Sequence, residues 1–159
     1  MNNHRGATLV EIVSCLVILG VLAGMAFPLI EKMKVKLALH SEVSTLVEEL
    51  RKARIFAIKS NAPVVFSYTD KGYMTFIDDG RNGGHNKDWV RQAGEQVLCS
   101  KTLGNGIDII LPESTFTSHR TRFSVGPGIS AGAVVLQDSE GNKSKVIVNA
   151  VGRVRVQKL

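Results

Sequence analysis

Hydrophobic and polar positions fall into three successive regimes along the chain. From Ile12 to Ile30 there are 19 consecutive positions without a charged side chain, rich in Leu, Val, Ile and Ala. At a helical rise of ~1.5 Å per residue that run spans roughly 28 Å, about one hydrocarbon core. It gives way to Glu31-Lys32-Met33-Lys34-Val35-Lys36, a polar exit. Apolar residues then recur at Leu39, Val43, Leu46, Leu50, Ala53 and Ala57, in alternating steps of four and three. Glu42, Glu48, Glu49, Arg51, Lys52 and Lys59 occupy the other face. This is the period of an amphipathic helix, stopped by Asn61-Ala62-Pro63. The stripe is expected to face a sheet rather than form a coiled-coil seam, which the same spacing would allow. Unbroken to about Ser60, the helix would be roughly 80 Å long.

Past residue 60 the pattern changes to short runs bounded by turn residues. Strands are expected at 64–68 and 73–78 around Thr69-Asp70-Lys71-Gly72, and at 96–101 and 107–111 around Gly-Asn-Gly. Further strands are expected at 122–125, 133–137, 145–149 and 153–156, with Ser139-Glu140-Gly141-Asn142 as a hairpin tip. There is no internal repeat and no low-complexity stretch. One long helix followed by strands predicts an α+β fold with an antiparallel β-sheet head.

The N-terminal segment opens with Met1-Asn2-Asn3-His4-Arg5-Gly6, where Arg5 fits a cytoplasmic flank. A cleaved secretory signal would find small residues at Gly24-Met25-Ala26, but the apolar run is long for one. A plain anchor explains the length and not Glu11, because an ionisable group inside a membrane helix is costly and usually partnered. Gly6-Ala7-Thr8-Leu9-Val10-Glu11-Ile12, the apolar run and Pro28 together resemble the class III leader of type IV pilins and pseudopilins. The resemblance implies cleavage by a prepilin peptidase between Gly6 and Ala7, retention of the apolar helix in the inner membrane, and methylation of the new amino group on Ala7. Ala7 is a departure, standing where the family usually has Phe. In a filament, the Glu11 carboxylate would meet the N-terminal ammonium of a neighbouring subunit and set axial register; the alternative is snorkelling to the headgroups. Pro28 lacks an N–H and is expected to kink or locally melt the helix, or simply to bend it at the membrane exit.

The remainder narrows the resemblance. Val47-Glu48-Glu49-Leu50-Arg51-Lys52-Ala53-Arg54, Ala57-Ile58-Lys59-Ser60-Asn61, Phe76-Ile77-Asp78-Asp79-Gly80-Arg81-Asn82-Gly83, Phe123-Ser124 with Gly126, and Gly152-Arg153-Val154-Arg155 are similar to the GspH/FimT family of minor pilins. That resemblance implies a type IV pilin fold in which the long N-terminal helix packs on the sheet head. The divisions are a leader (1–6), a transmembrane assembly helix (7–30), an amphipathic helix (31–60) and a periplasmic head (61–159). It also implies a low-abundance, non-enzymatic subunit that initiates or caps a type IV pilus or type II secretion pseudopilus, with other pilins as partners.

Composition adds exclusions. With 159 residues the chain fits one domain, and 2 cysteines rule out a disulfide scaffold. Cys15 belongs to the apolar helix and Cys99 to the strand region, where it reads as a small buried hydrophobe. No zinc-ligand spacing and no Ser-His-Asp or Cys-His arrangement is legible, so neither a cofactor nor catalysis is expected. In the loop from Asp78 to Asn86, Asp78 and Asn82 partly follow a calcium pattern. Gly80 at the third position, the lack of a following bidentate Glu and the charge of Arg81 favour a glycine-rich turn. His85 and His119 read as surface residues.

The net charge of +6 is uneven: +3 over residues 1–59, −2 over 60–118 and +5 over 119–159. Arg153 and Arg155 alternate along a strand, so both would project from one face, and Lys158, Lys143, Lys145, Arg120 and Arg122 would join them if the strands pack together. Guanidinium forks suit phosphate oxygens, which makes double-stranded DNA the alternative partner. Some FimT-like proteins associated with DNA uptake carry a similar Gly-Arg-x-Arg ending. The competing reading is an edge strand kept soluble by its charges.

Overall fold

The computed structural model of the protein describes residues 9–80, 88–104, 106–125 and 129–159. Helix α1 runs from Leu9 to Ser60. Lys36–Leu159 forms one compact unit, and the chain up to Val35 is a separate one.

Within the compact unit, α1 buries the stripe predicted from its periodicity. Leu39, Val43, Leu46, Leu50, Ala53 and Ala57 are all buried, joined by Val47, and Leu46 and Leu50 are both 0% exposed. They share one core with Val64, Phe66 and Tyr73 and with Val134, Leu136 and Val146, so the stripe faces sheet rather than a second helix. The helix ends where its sequence says it should. The Ser60 hydroxyl donates to the Phe56 carbonyl at 2.7 Å, and Asn61 turns left-handed at φ 50°. Asn tolerates that conformation better than most residues, and Pro63 prevents the helix from resuming.

Eight strands follow: β1 (Val64–Tyr68), β2 (Gly72–Ile77), β3 (Val97–Thr102), β4 (Ile107–Ile109), β5 (Arg120–Phe123), β6 (Gly132–Asp138), β7 (Lys143–Val148) and β8 (Val154–Lys158). Each expected strand is present, with its ends within two residues of those expected. The head is not one sheet, however, but two antiparallel four-stranded sheets, ordered β3-β2-β1-β5 and β4-β6-β7-β8. The division arises because β5 returns to β1, pairing Val64 with Phe123 and Ser67 with Arg120, while β4 pairs with β6. The same pairing draws β5 back to Arg120, two residues ahead of its expected start.

The sheets are clasped to each other and to α1 at specific points. The Ile109 and Leu103 amides donate to the carbonyls of Asp70 and Lys71 in the β1–β2 turn, both at 2.8 Å, and Lys71 pairs with Asp108 at 2.6 Å. Lys101 of β3 reaches Glu42 of α1 at 2.6 Å, and Arg54 donates to the Gly152 carbonyl at 3.3 Å. At the β6–β7 tip the buried Asp138 carboxylate accepts the Glu140 and Asn142 amides and the Asn142 side chain, at 2.8–3.0 Å. Gly141 supplies the φ of +85° which that turn needs.

Gly72 is fixed by contact: a Cβ there would lie 2.5 Å from the Lys101 carbonyl oxygen across the β2–β3 pair. Gly72→Ala is therefore expected to destabilise the head by about 1–3 kcal/mol, because backbone rather than a flexible side chain must yield. Thermal unfolding followed by the fluorescence of the single tryptophan, Trp89, would read this.

Tyr73 gives a second expectation. Its hydroxyl is buried without a partner among the described residues, and burial pushes the phenol above its ordinary value of 10. The unfolded chain thus ionises first, so the contribution is fully present below about pH 10 and lost as pH rises above it. Tyr73→Phe should match or exceed the native melting temperature at neutral pH and flatten its alkaline decline. An unchanged alkaline decline in melting experiments would contradict this.

Candidate assembly helix and basic edge

The apolar half of α1 has no stripe. Leu9, Val10, Ile12, Val13, Leu16, Val17, Ile18 and Leu19 are all exposed, Leu9 at 80%, so every face of the helix presents hydrocarbon. The segment is long and apolar enough to cross a membrane. A helix apolar all round is stable only inside lipid or among other helices. The Ser14 hydroxyl is satisfied within the helix, donating to the Glu11 carbonyl at 2.9 Å. Glu11 lies on the exposed surface of this segment. Gly6 and Ala7 lie outside the described residues. The backbone is helical through position 28. Apolar exposure returns on the same helix at Ile55, Phe56 and Ile58, with Ile55 at 65%.

The seven basic residues of the C-terminal quarter do not form one patch. On β7 and β8, Ile147 lies beside Arg155 and Lys145 beside Gln157, on one face. Arg153 stands at the mouth of β8, its amide donating to the Asn149 side chain at 2.8 Å. Arg153 and Arg155 are exposed, and neither pairs with a carboxylate among the described residues. Lys158 lies beside Ser144, on the opposite face of the same strand pair. Period-two alternation separates it from Arg155, which the count of charges in the tail did not take into account. Lys143 is engaged by Glu113.

Arg120 and Arg122 belong to the other sheet and are used internally. Arg120 donates to the Trp89 carbonyl at 2.8 Å, and the Arg122 guanidinium stacks 4.9 Å from the centre of the Trp89 ring. Trp89 itself has a φ of +66°, and its amide donates to the Asp78 carboxylate at 3.1 Å. This hub was missed in the sequence; a lone tryptophan between two arginine-bearing segments was its only signal.

The other candidates resolve as follows. Asp78 is fully buried and anchors Trp89, while Asn82, Arg81 and His85 lie outside the described residues. Among the described residues no group of three His, Cys, Asp or Glu side chains is placed to hold a metal ion. His119 is exposed and packs edge-on against Tyr68 at 5.5 Å. Cys99 is half-buried, not buried as expected, because it sits on β3 at the sheet edge. Burial, and then the charge of Glu49, push its thiol above the ordinary value, the reverse of what a nucleophile needs.

Comparison with known proteins agrees with this architecture. The model of the family described as type II transport protein GspH matches residues 42–152, and that of the prokaryotic N-terminal methylation motif matches residues 1–27. The chain is 32% identical to pilin-like protein PilA1 of Thermus thermophilus, over 97% of its own length and 99% of that protein. No solved structure matches. A helix apolar on every face, joined to a helix-on-sheet head and preceded by a methylation motif, places the chain: it belongs to the GspH family and is a type IV pilin-like protein.

Proposed function

We propose that the protein is a minor pilin or pseudopilin that initiates or caps a type IV pilus or type II secretion pseudopilus after prepilin peptidase cleavage. The observation that carries this reading is the apolar surface of α1 between Leu9 and Ile30, exposed on all sides. In the bilayer, lipid covers that surface; in a filament, the equivalent helices of other pilins replace lipid. Exposed Ile55, Phe56 and Ile58 extend the same contact into the head. Processing between Gly6 and Ala7 leaves an ammonium on Ala7, and Glu11 is the acidic group of the segment able to compensate a neighbour's charge. A carboxylate in a low-dielectric helix bundle is costly unless paired, so the pair selects one axial register. The function is assembly and not catalysis.

Mass spectrometry of the N-terminal peptide, with and without a prepilin peptidase, tests the processing. The expected product begins at N-methylated Ala7; an intact leader on membrane-bound protein would instead mean a simple anchored periplasmic domain. Glu11→Gln should still be cleaved yet fall about tenfold or more in sheared filaments, since it loses the charge that opposes the ammonium. Normal incorporation of the variant would remove Glu11 from the mechanism.

A second reading rests on Arg153 and Arg155, both exposed and without an acidic partner among the described residues, with Lys145 on the Arg155 face of the β7–β8 pair: a binding surface for double-stranded DNA. A few phosphate contacts would give affinity that falls by about 0.9 log units per contact per log unit of salt. Titration of the protein with labelled duplex at several salt concentrations should show that slope, and Arg153→Ala with Arg155→Ala should weaken binding about tenfold or more. Binding indifferent to the two arginines would sink the reading and leave assembly untouched.

A further inference from the structure

The outer face of the first sheet carries a cleft that neither assembly nor the basic edge uses. Phe123 of β5 joins the core shared with α1, so alternation along the strand turns Arg120 and Arg122 to the opposite face. On that side Arg120 lines a cleft of about 390 Å³ together with Asp88, Trp89, Thr117, Ser118 and Ser130, all within the compact unit Lys36–Leu159. Small-molecule sites span roughly 300–1,000 Å³ and combine an aromatic surface with a few polar groups. Arg122 is outside this lining and stacks on the Trp89 ring, so the indole is held in place from beyond the cleft. Trp89 and Ser118 have left-handed φ values of 66° and 53°, a conformation that the surrounding structure must impose on such side chains.

The polar groups of this lining have bonds left to make. The hydroxyls of Thr117, Ser118 and Ser130 and the Trp89 indole N–H pair with no group among the described residues. Arg120 donates to the Trp89 carbonyl at 2.8 Å and has further N–H donors. Asp88 accepts the Val90 amide at one oxygen and the Gln92 side chain at the other, which leaves each oxygen a second lone pair. Asp88 and Arg120 are opposite in sign, so the cleft suits neither a bare cation nor a phosphate. Three hydroxyls and an indole N–H call instead for a neutral molecule whose groups both donate and accept. A pyranose ring has such an edge, and its C–H face is an apolar surface on which an indole can stack. Carboxylate and guanidinium groups, planar and each with two atoms side by side, match adjacent ring hydroxyls. We propose that the cleft binds a neutral saccharide, with Trp89 as the stacking platform. α1 covers the other face of this sheet, so the cleft is separate from the helix surface used in assembly.

The test uses the full chain in lauryldimethylamine oxide micelles, a detergent without a sugar headgroup, titrated with maltotriose and with chitotriose. Trp89 is the single tryptophan, so its fluorescence reports occupancy in the wild type, and calorimetry reports it in the variants. At least one trisaccharide should shift the emission saturably, with an affinity unchanged between low and high salt. Trp89→Ala should abolish binding, and Thr117→Val with Ser130→Ala should weaken it about tenfold. The double variant keeps the Trp89–Arg122 stack, so it decides the matter if Trp89→Ala does not fold. Glu140→Gln, at the β6–β7 tip, should bind as the wild type does. No saturable shift with either sugar overturns the proposal, and so does full affinity in the Thr117/Ser130 variant. An equal response to glycerol would reduce the signal to a solvent effect on the indole. Tighter uptake of glycine would make Asp88 and Arg120 a site for a zwitterion. Either result also overturns the proposal.

Discussion

The packing of one helical stripe against two sheets is the contact from which the head takes its form. Leu46 and Leu50 share one core with residues of both sheets, together with Val43, Val47, Ala53 and Ala57 of the same helix. Small residues occupy the last two positions of the stripe, and a three-residue link, Asn61 to Pro63, leads from α1 into β1. Removing a buried leucine from such a core costs ~2–5 kcal/mol, a large share of the 5–15 kcal/mol that holds a typical domain together. Neither sheet could cover its apolar face without the stripe. Phe66 and Tyr73 in one sheet, and Val134, Leu136 and Val146 in the other, all close on that core.

That constraint also explains why polar clasps are placed as they are. Lys101–Glu42 and Arg54–Gly152 join a strand or turn from each sheet to α1, and Lys71–Asp108 joins the sheets. Partly exposed ion pairs contribute little each, ~1 kcal/mol or less. Their value is positional, since they fix the order in which surfaces meet a stripe that would accept several. Asp78 and Asp138 hold their loops in the same positional way, each carboxylate accepting a backbone amide of the loop beside it.

Function divides along the same helix. Its first half is apolar all round and meets lipid or other helices, while its second half is committed to the head on one side. Among the described residues, the surfaces left for partners include the N-terminal half, the Ile55–Phe56–Ile58 exposure and the Arg155 face of the β7–β8 pair. On that pair, register puts Arg155 and Lys145 on one side and Lys158 on the other, so the charges of one short basic tail do not share a surface.

Local pattern was enough to determine the helix, its buried stripe, its stop at Asn61, eight strands and the hairpin tips, because period and turn chemistry are properties of neighbouring residues. The leader motif belongs to the same class, being contiguous, and it carried the family. Tertiary structure alone decided that the head is two sheets. Pairing Val64 with Phe123 closes a long stretch of chain, and that closure is decided by which burial repays its entropy, not by the pattern of either strand. It alone took Lys143 to Glu113, Arg122 to Trp89 and Lys158 to the face opposite Arg155. Charge in the sequence counts side chains, but the direction in which each one points is set by strand register and by the surface its neighbours have already covered.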